Sequence, residues 1–263
     1  MRFLTQKNRS ILREMVSTDF KVRYQGSVLG YAWSVLKPLF LFAILYIVFV
    51  KFLGVGKGIP HYGVALLFGI VLWSFFAEAT VTGMNAIVNR ADLIKKISIP
   101  RYLVVVSSVS SAFINLIINL LVVLLFAIID GVDPLKTWLL IPLFVIELLA
   151  FALALSFFLS ALYVKYRDAA YIWEVLLQAA FYATPILYPL SYVADKYHKL
   201  IMLNPMAQII QDSRWAFISH DTLSSWKVLG SPLLFVPPLI IIVVIVLASK
   251  YFKSQARDFA ENI

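Results

Sequence analysis

Residues 62–84 read YGVALLFGIVLWSFFAEATVTGM, a run of 23 residues with a single charged side chain, Glu78. An α-helix needs about 20 mostly apolar residues to cross the hydrocarbon core of a bilayer, so this run is long enough to span one. Its apolar residues are continuous rather than alternating, which is typical of a membrane helix and not of a barrel strand. The stretch therefore predicts an all-α integral membrane protein.

Five similar runs lie on either side of this one. The sequence predicts six spans, at residues 36–54, 62–84, 103–129, 138–164, 170–188 and 231–252. The run 170–188 is the weakest, because it begins with Tyr171, Trp173 and Glu174 and ends in TPILYP, residues 184–189. Proline removes a backbone donor, so we expect the fifth helix to break near this motif.

The composition agrees with a membrane protein. The chain is 62% hydrophobic and 14% charged, with a mean hydropathy of +0.88, whereas soluble domains carry about 25% charged residues. We predict one domain over 1–263, with a segment 1–35, a bundle 36–252 and a tail 253–263. The first 35 residues hold no apolar signal region, so the first span is expected to be an uncleaved anchor.

Several kinds of site are excluded by the residue types. The chain has no cysteine, which excludes disulfides, thiolate catalysis and cysteine metal sites. The net charge of +9 reports topology in a membrane protein, so no nucleic-acid partner is predicted. The three histidines, His61, His198 and His220, lie outside the predicted spans. No metal site and no intramembrane histidine relay is therefore predicted.

Lysine and arginine are distributed unevenly between the loops. Sixteen fall in the N-terminal segment, the loops after the second and fourth spans and the C-terminal tail, and seven fall on the other side. Because basic residues concentrate on the cytoplasmic side of a membrane, both termini are predicted to be cytoplasmic.

The segment before the first span has an amphipathic pattern. Apolar and aromatic residues recur there at helical spacing, at Phe20, Tyr24, Val28, Tyr31 and Val35. This pattern predicts a helix in the cytoplasmic interface that turns into the first span near Lys37. Two roles are open: an anchor for the N-terminus, or a contact for a cytoplasmic partner.

Polar residues inside the spans form stripes. Ser107, Ser111, Asn115 and Asn119 follow one face of the third span, and small residues follow one face of the fourth. Small and hydroxyl-bearing residues let membrane helices approach closely, so helix packing is the preferred interpretation. Glu78 and Glu147 need partners that the pattern does not identify.

Four stretches resemble a known family, in the family's own order. They are RYQGSVLGYAWSVLKPL (23–39), NRADLIKKISIPR (89–101), KYRDAAYIWE (165–174), and TPILYP (184–189) followed by LNPMAQIIQDSRWAF (203–217). Each is similar to the corresponding region of the polysaccharide-export permeases of the type-2 ABC exporter family. The resemblance covers nearly the whole chain.

The resemblance implies six transmembrane helices, an N-terminal interface helix and short outer gate helices before the last span. It implies a permease homodimer with two copies of a cytoplasmic ATPase subunit in the bacterial cytoplasmic (inner) membrane. The cargo would be a lipid-linked glycan, such as O-antigen, capsule-like polysaccharide or teichoic acid. This chain would be no enzyme and bind no cofactor, with ATP and Mg on the ATPase. GVGKG, residues 54–58, indeed lacks phosphate-loop spacing.

Two sets of site residues follow. The loop 85–101 predicts a short helix with an apolar ridge, ended by Pro100. The resemblance implies that it docks the ATPase, although the pattern alone fits a loop that only sets topology. The candidates for ATPase coupling are Arg23, Asp92, Lys95, Lys96, Arg167 and Asp168.

The second set concerns a glycan conduit. Aromatic and hydrogen-bonding residues alternate at helical spacing along the fifth span, and such a face suits the apolar and hydroxyl surfaces of sugars. The conduit candidates are Tyr46, Trp73, Phe76, Tyr171, Glu174, Gln178, Phe181 and Tyr182. Some of these aromatic residues equally fit belts at the membrane interfaces.

The sequence leaves other functions open. Within the same family, the cargo could be a drug or a lipid. An integral membrane enzyme is less favoured because the carboxylates are scattered, and an ion-coupled transporter because no inverted repeat is evident. The outer segment 189–230 predicts two short amphipathic helices, which fit either a gate or a solvated cap.

Overall fold

The computed structural model describes residues 5–24, 27, 29–96, 99–256 and 259. All regular secondary structure in this part of the chain is helical, which confirms the predicted fold class. Its α-helices are α1 Gln6–Tyr24, α2 Trp33–Leu45, α3 Tyr62–Asn89, α4 Ala91–Lys96, α5 Arg101–Ile129, α6 Ile141–Lys165, α7 Ala169–Ala183, α8 Asp195–Met202, α9 Pro205–Phe217, α10 Ser225–Val228 and α11 Val236–Gln255.

Shorter helical turns extend or connect these helices. Tyr46–Phe52 continues α2 as a π-helix, and 3₁₀ turns lie at Gly30–Ala32, Lys136–Leu140, Leu190–Tyr192 and Leu233–Phe235. Five segments of the described chain are long and apolar enough to cross a membrane: Trp33–Phe52, Tyr62–Asn89, Arg101–Ile129, Lys136–Lys165 and Leu233–Gln255. They correspond to the first four and the last of the predicted spans, so this is a multi-pass membrane protein.

The predicted fifth span is not a single membrane-crossing helix. α7 has 15 residues, which at 1.5 Å per residue is about 22 Å, whereas the hydrocarbon core is about 30 Å thick. Thr184 ends the helix with extended backbone angles, because the residue before a proline is excluded from the helical region. The buried, irregular segment 184–187 follows. Six spanning helices are therefore not confirmed.

α3 lies at the centre of the bundle. Its membrane-spanning window is 72% buried, compared with 6% for the α2 segment and 17% for the α11 segment. A Cβ atom at Gly83 would lie 2.5 Å from Ser156 on α6, and the Ser156 hydroxyl donates to the Ala79 carbonyl at 3.0 Å. The close approach of α3 and α6 thus depends on small residues, as the stripe on the fourth span predicted.

One end of the bundle, which we call the basic end, carries α1, α4 and the last residues of α6 and α11. There α1 packs through Met15 onto Ile87 and Val105. Its Asp19 forms a salt bridge with Arg90, whose guanidinium also donates to the Ser107 hydroxyl at 2.7 Å. α1 therefore covers this end of the bundle.

The position of the N-terminal helix differs from the prediction. The pattern placed a helix over residues 20–35, but α1 ends at Tyr24 and only the turn Gly30–Ala32 precedes α2. Residues 25, 26 and 28 lie outside the described residues. Instead of running directly into the first span, the N-terminal helix packs on α5.

The opposite end, which we call the far end, is built by α8, α9 and α10. Of the two predicted amphipathic helices, α8 exposes Tyr197 and Leu200 at the surface. α9 begins at Asn204, whose side chain accepts from the Met206 amide, and it is buried along nearly its whole length against α3 and α6. α9 is therefore part of the core and not a surface helix.

Candidate functional site

The exposed side of α7 carries most of the predicted conduit residues. The helix packs on α3 and α6 through Trp173, Leu177 and Phe181. The Trp173 indole donates to the Thr80 hydroxyl at 3.0 Å, which fixes the rotation of α7. Exposed along one line of the helix are Tyr171, Glu174, Gln178 and Tyr182, which we call the α7 stripe. The exposed surface beside this stripe carries apolar side chains such as Val175 and Leu176.

The α7 stripe is polar at membrane depth. Gln178 lies nine residues into the helix, about 14 Å along its axis. A charged side chain facing hydrocarbon costs about 2.5–3.5 kcal/mol near the bilayer centre, and charged groups in spans generally face protein or water. Glu174 and Gln178 therefore require something other than lipid opposite them.

Two other conduit candidates lie behind α7, and a third, Phe181, lies on the packed side of α7 itself. Trp73 and Phe76 are 7% and 4% exposed and form an aromatic cluster inside the protomer. The Trp73 ring centroid lies 5.8 Å from that of Phe181, and Phe76 stacks on Phe151 at 5.4 Å. These rings support α7 from the core side and do not join the α7 stripe.

Tyr46 lies elsewhere. It begins the π-helical extension of α2, which packs on α3 and α5, whereas α7 packs on α3 and α6. A Cβ atom at Gly63 would come within 3.0 Å of the Tyr46 ring, so the ring rests on α3. The structure does not place Tyr46 with the α7 stripe.

A cavity between α2, α3 and α5 was not predicted from the sequence. Its volume is about 820 Å³, and it is lined by Lys37, Glu78, Asn115 and Asn119 together with hydroxyls and the Trp73 side chain. We call it the polar cavity. Asn115 donates to Glu78 at 2.9 Å, which supplies a partner that the sequence left open. The signal for it in the sequence is the polar stripe on α5, for which the pattern alone favours helix packing.

The chemistry of the polar cavity suits a polyhydroxylated ligand. Amide, carboxylate and hydroxyl groups can each exchange hydrogen bonds with hydroxyls, and indole rings offer an apolar surface. The Asn115 side-chain oxygen is buried and has no partner among the described residues. No group of acidic or histidine side chains able to hold a metal ion occurs in that part of the chain.

The far end contains a buried cation that sequence reasoning missed. The Arg214 guanidinium donates to three backbone carbonyls: Ala65 at 3.0 Å, Pro185 at 2.6 Å and Ile186 at 2.9 Å. Tyr62 donates to the Leu187 carbonyl at 2.7 Å. Burial lowers the pKa of Arg214 to about 10, so it remains charged at neutral pH.

Three of these hydrogen bonds, to Pro185, Ile186 and Leu187, explain how the irregular segment is tolerated. Non-helical backbone at membrane depth persists only where protein or water satisfies its polar groups. Arg214 and Tyr62 do this for the segment 185–187, directly after α7. They therefore fix where the α7 stripe ends.

A second buried network lies beside Arg214 on α9. Asp212 accepts from the Ser225 amide at 2.7 Å, from the Ser225 hydroxyl at 2.6 Å and from Gln208 at 2.9 Å. Burial raises the pKa of Asp212, although these hydrogen bonds oppose the effect. Gln208 also reaches Glu147 at 3.5 Å, which gives the second intramembrane carboxylate a neighbour.

The predicted coupling residues lie at the basic end. α4 turns Leu93 and Ile94 toward the bundle and exposes Asp92, Lys95 and Lys96. The predicted ridge and charged side of this loop are thus present, with Ile97 and Ser98 outside the described residues.

The remaining coupling residues flank the start of α7 and the end of α1. Arg167 and Asp168 are exposed before α7, and the Arg167 guanidinium lies 5.1 Å from the Tyr163 ring centroid. Arg23 is in the last turn of α1, but its side chain is outside the described part of the chain. The basic end therefore presents two exposed charged surfaces, α4 and the turn before α7.

Comparison with known proteins decides the family. The profile of the ABC-2 type transporter family matches residues 12–218. The chain belongs to this family. The match includes α7, the polar cavity, α4 and Arg214, so each of these features lies in the ABC-2 region.

Individual relatives agree with this assignment. The chain is 30% identical to the O-antigen export system permease protein RfbA of Myxococcus xanthus, over 97% of this chain and 96% of that protein. It is 32% and 31% identical to two proteins of the same name from Klebsiella pneumoniae, over 80% of each chain. As an ABC-2 type transporter, the protein has a transport role.

Proposed function

We propose that this protein is the transmembrane subunit of an ATP-driven exporter that moves a lipid-linked cell-surface glycopolymer across the bacterial cytoplasmic membrane. The observation that carries the proposal is the α7 stripe, a line of aromatic and hydrogen-bonding side chains on the unpacked side of a membrane-embedded helix. Relatives named as O-antigen export permeases support a glycan cargo of that kind.

The proposal requires a second copy of the chain. In one protomer, α7 is covered by α3 and α6 on one side only, and its polar residues face outward. Because lipid is a poor environment for Glu174 and Gln178, a homodimer with the two stripes across a shared passage gives them water and glycan instead. Weak contacts at many sites suit a polymer that must keep moving.

Energy for transport comes from a separate ATPase subunit in this proposal. Two copies would dock at the basic end, on α4 and on the turn with Arg167 and Asp168, and would hold the ATP and Mg. The basic end is then cytoplasmic, in agreement with the excess of lysine and arginine there. The whole chain functions as one permease domain.

The test separates export from assembly. Gln178→Ala and Tyr182→Ala are introduced into the permease co-expressed with its cognate ATPase, with Ile172→Ala as a matched control on an exposed apolar position of the same helix. We expect surface polymer to fall several-fold in the first two variants, with unchanged co-purification of the ATPase, and to stay at the wild-type level in the control. Equal export in all three variants would refute the conduit.

A further inference from the structure

A pocket of about 400 Å³ lies at the basic end, between the first turn of α5, the inner half of α6 and the last turns of α11. We call it the basal pocket. Its floor is largely aromatic and includes Tyr102, Phe157 and Phe252, and its rim carries Arg101 and Lys253. None of the individual conduit or coupling residues named above lines it, although its Ile99 and Pro100 end the loop 85–101.

The rim of the basal pocket is positive. Among the described residues, no acidic side chain lines it, and neither Arg101 nor Lys253 forms a salt bridge there. Arg101 lies 5.9 Å from the Phe259 ring centroid, a contact that leaves its guanidinium donors available. Two cations thus stand over an apolar floor without a described counter-charge.

The pocket lies where a membrane surface meets this helix bundle. Arg101 is the first residue of the membrane-spanning α5, and Lys253 lies in the last turn of the membrane-spanning α11. α11 is mostly uncovered, and its outward side chains, such as Ile242 and Val246, are apolar. The pocket therefore combines a positive rim at headgroup level with an apolar interior beside the hydrocarbon.

We propose that the basal pocket binds the headgroup of an anionic phospholipid. The phosphodiester lies between Arg101 and Lys253, within reach of the Ser249 hydroxyl, and the start of an acyl chain lies on the aromatic floor. The volume is in the range of about 300–1,000 Å³ typical of small-molecule sites. Basic pockets between membrane helices are suited to acidic headgroups. The inference does not depend on the cargo.

The first experiment measures lipid affinity by native mass spectrometry of the permease–ATPase complex, titrated with phosphatidylglycerol or phosphatidylcholine. Each basic residue near an anionic lipid strengthens binding by about fivefold. The double variant Arg101→Gln, Lys253→Gln should therefore bind phosphatidylglycerol about thirtyfold more weakly, with phosphatidylcholine unchanged. Lys250→Gln, an exposed cation one turn away that does not line the pocket, should match the wild type.

A second set of variants separates a pocket from a merely positive surface. Ser249→Phe and Ala256→Trp keep both cations but fill the cavity, and each should weaken phosphatidylglycerol binding several-fold. The swapped pair Arg101→Lys, Lys253→Arg keeps the charge and should retain the preference. If filled pockets bind phosphatidylglycerol as tightly as the wild type, the cations act only through general attraction and the proposal is wrong.

Other occupants give distinct results. Millimolar inorganic phosphate should not displace phosphatidylglycerol, because phosphate lacks the acyl chain that covers the floor. Displacement by an equimolar polyprenyl phosphate would assign the pocket to the carrier lipid instead. A deletion of residues 260–263, which keeps the buried Phe259, should leave binding unchanged. If phosphatidylglycerol binds with preference only after this deletion, the tail occupies the pocket and the proposal fails.

Discussion

Replacing Arg214 by methionine tests whether one buried cation holds the irregular segment after α7. The substitution removes hydrogen bonds to the Pro185 and Ile186 carbonyls, at 2.6 and 2.9 Å. The third acceptor, Ala65, lies inside α3 and keeps the bonding of the helix. Two buried carbonyls are thus left without this donor.

The size of the effect follows from these two carbonyls. A buried polar group without a partner lowers stability by about 1–3 kcal/mol. Part of this loss is offset, because the methionine variant no longer buries a charged group away from water. We expect a net loss of about 3 kcal/mol in the free energy of unfolding, which in a chain of this size lowers Tm by about 6–12 °C. Export should fall as well, because the backbone directly after α7 is no longer held in place by Arg214.

The assay is the thermal melting of the purified permease in detergent, followed by tryptophan fluorescence. Lys199→Met, which removes an exposed cation at the same end of the bundle, is the matched control and should change stability by about 0.5 kcal/mol or less. Arg214→Lys keeps the charge but not the three-way fork and should fall between the two. An Arg214→Met protein that melts within 1–2 °C (about 0.5 kcal/mol) of the wild type would contradict this reasoning.

Four further outcomes are expected. Because the chain has no native cysteine, Gln178→Cys should react with a membrane-impermeant thiol reagent in an ATP-dependent way, while the buried Leu177→Cys stays protected; equal labelling would exclude a water-filled passage along α7. Charge reversal at Lys95 and Lys96 should reduce the amount of ATPase that co-purifies, without loss of membrane insertion. An unchanged amount of ATPase would mean that the charges of α4 only set the orientation of the protein in the membrane. The isolated permease should hydrolyse no ATP in a phosphate-release assay, since it lacks a phosphate loop. Gly83→Ala should lower the free energy of unfolding, measured by thermal melting, by about 1–3 kcal/mol, because the added methyl group forces α3 away from Ser156. An unchanged stability would mean that α6 can shift to make room for the methyl group.

Features encoded by local pattern could be predicted from the sequence. The long apolar runs gave the spanning helices, and the ridge on residues 91–96 gave a helix with its charges outward. The proline rule predicted a break near the motif 184–189, and the helix ends there, at Ala183. The same rule did not predict that α7 is too short to cross the membrane alone, because the length of a helix also depends on where its first residues can pack.

Features made by distant residues could not be predicted. The acceptors of Arg214 are 149, 29 and 28 residues away from it, and no spacing in the sequence joins them. A cation in a short amphipathic helix outside the spans is normally solvated, so the burial of Arg214 could be predicted only from the fold of segment 184–187. Likewise, the spacing of Asn115 and Asn119 showed that they share a face, but only α2 and α3 show that this face borders a cavity.

The central position of α3 has a consequence for biosynthesis. Spans enter the membrane in the order of synthesis, so α3 is present before the helices that later surround it. Glu78 then enters the bilayer 37 residues ahead of Asn115, which donates to it in the folded protein. The Ala79 carbonyl likewise accepts from the Ser156 hydroxyl only after α6 has been made. A carboxylate in a membrane helix is less favourable before the Asn115 donor is in place, which favours holding α3 at the insertion machinery until α5 arrives. Of the described spanning segments, the most buried is thus one whose insertion alone is unfavourable, and we expect several helices of the nascent chain to enter the membrane as a group.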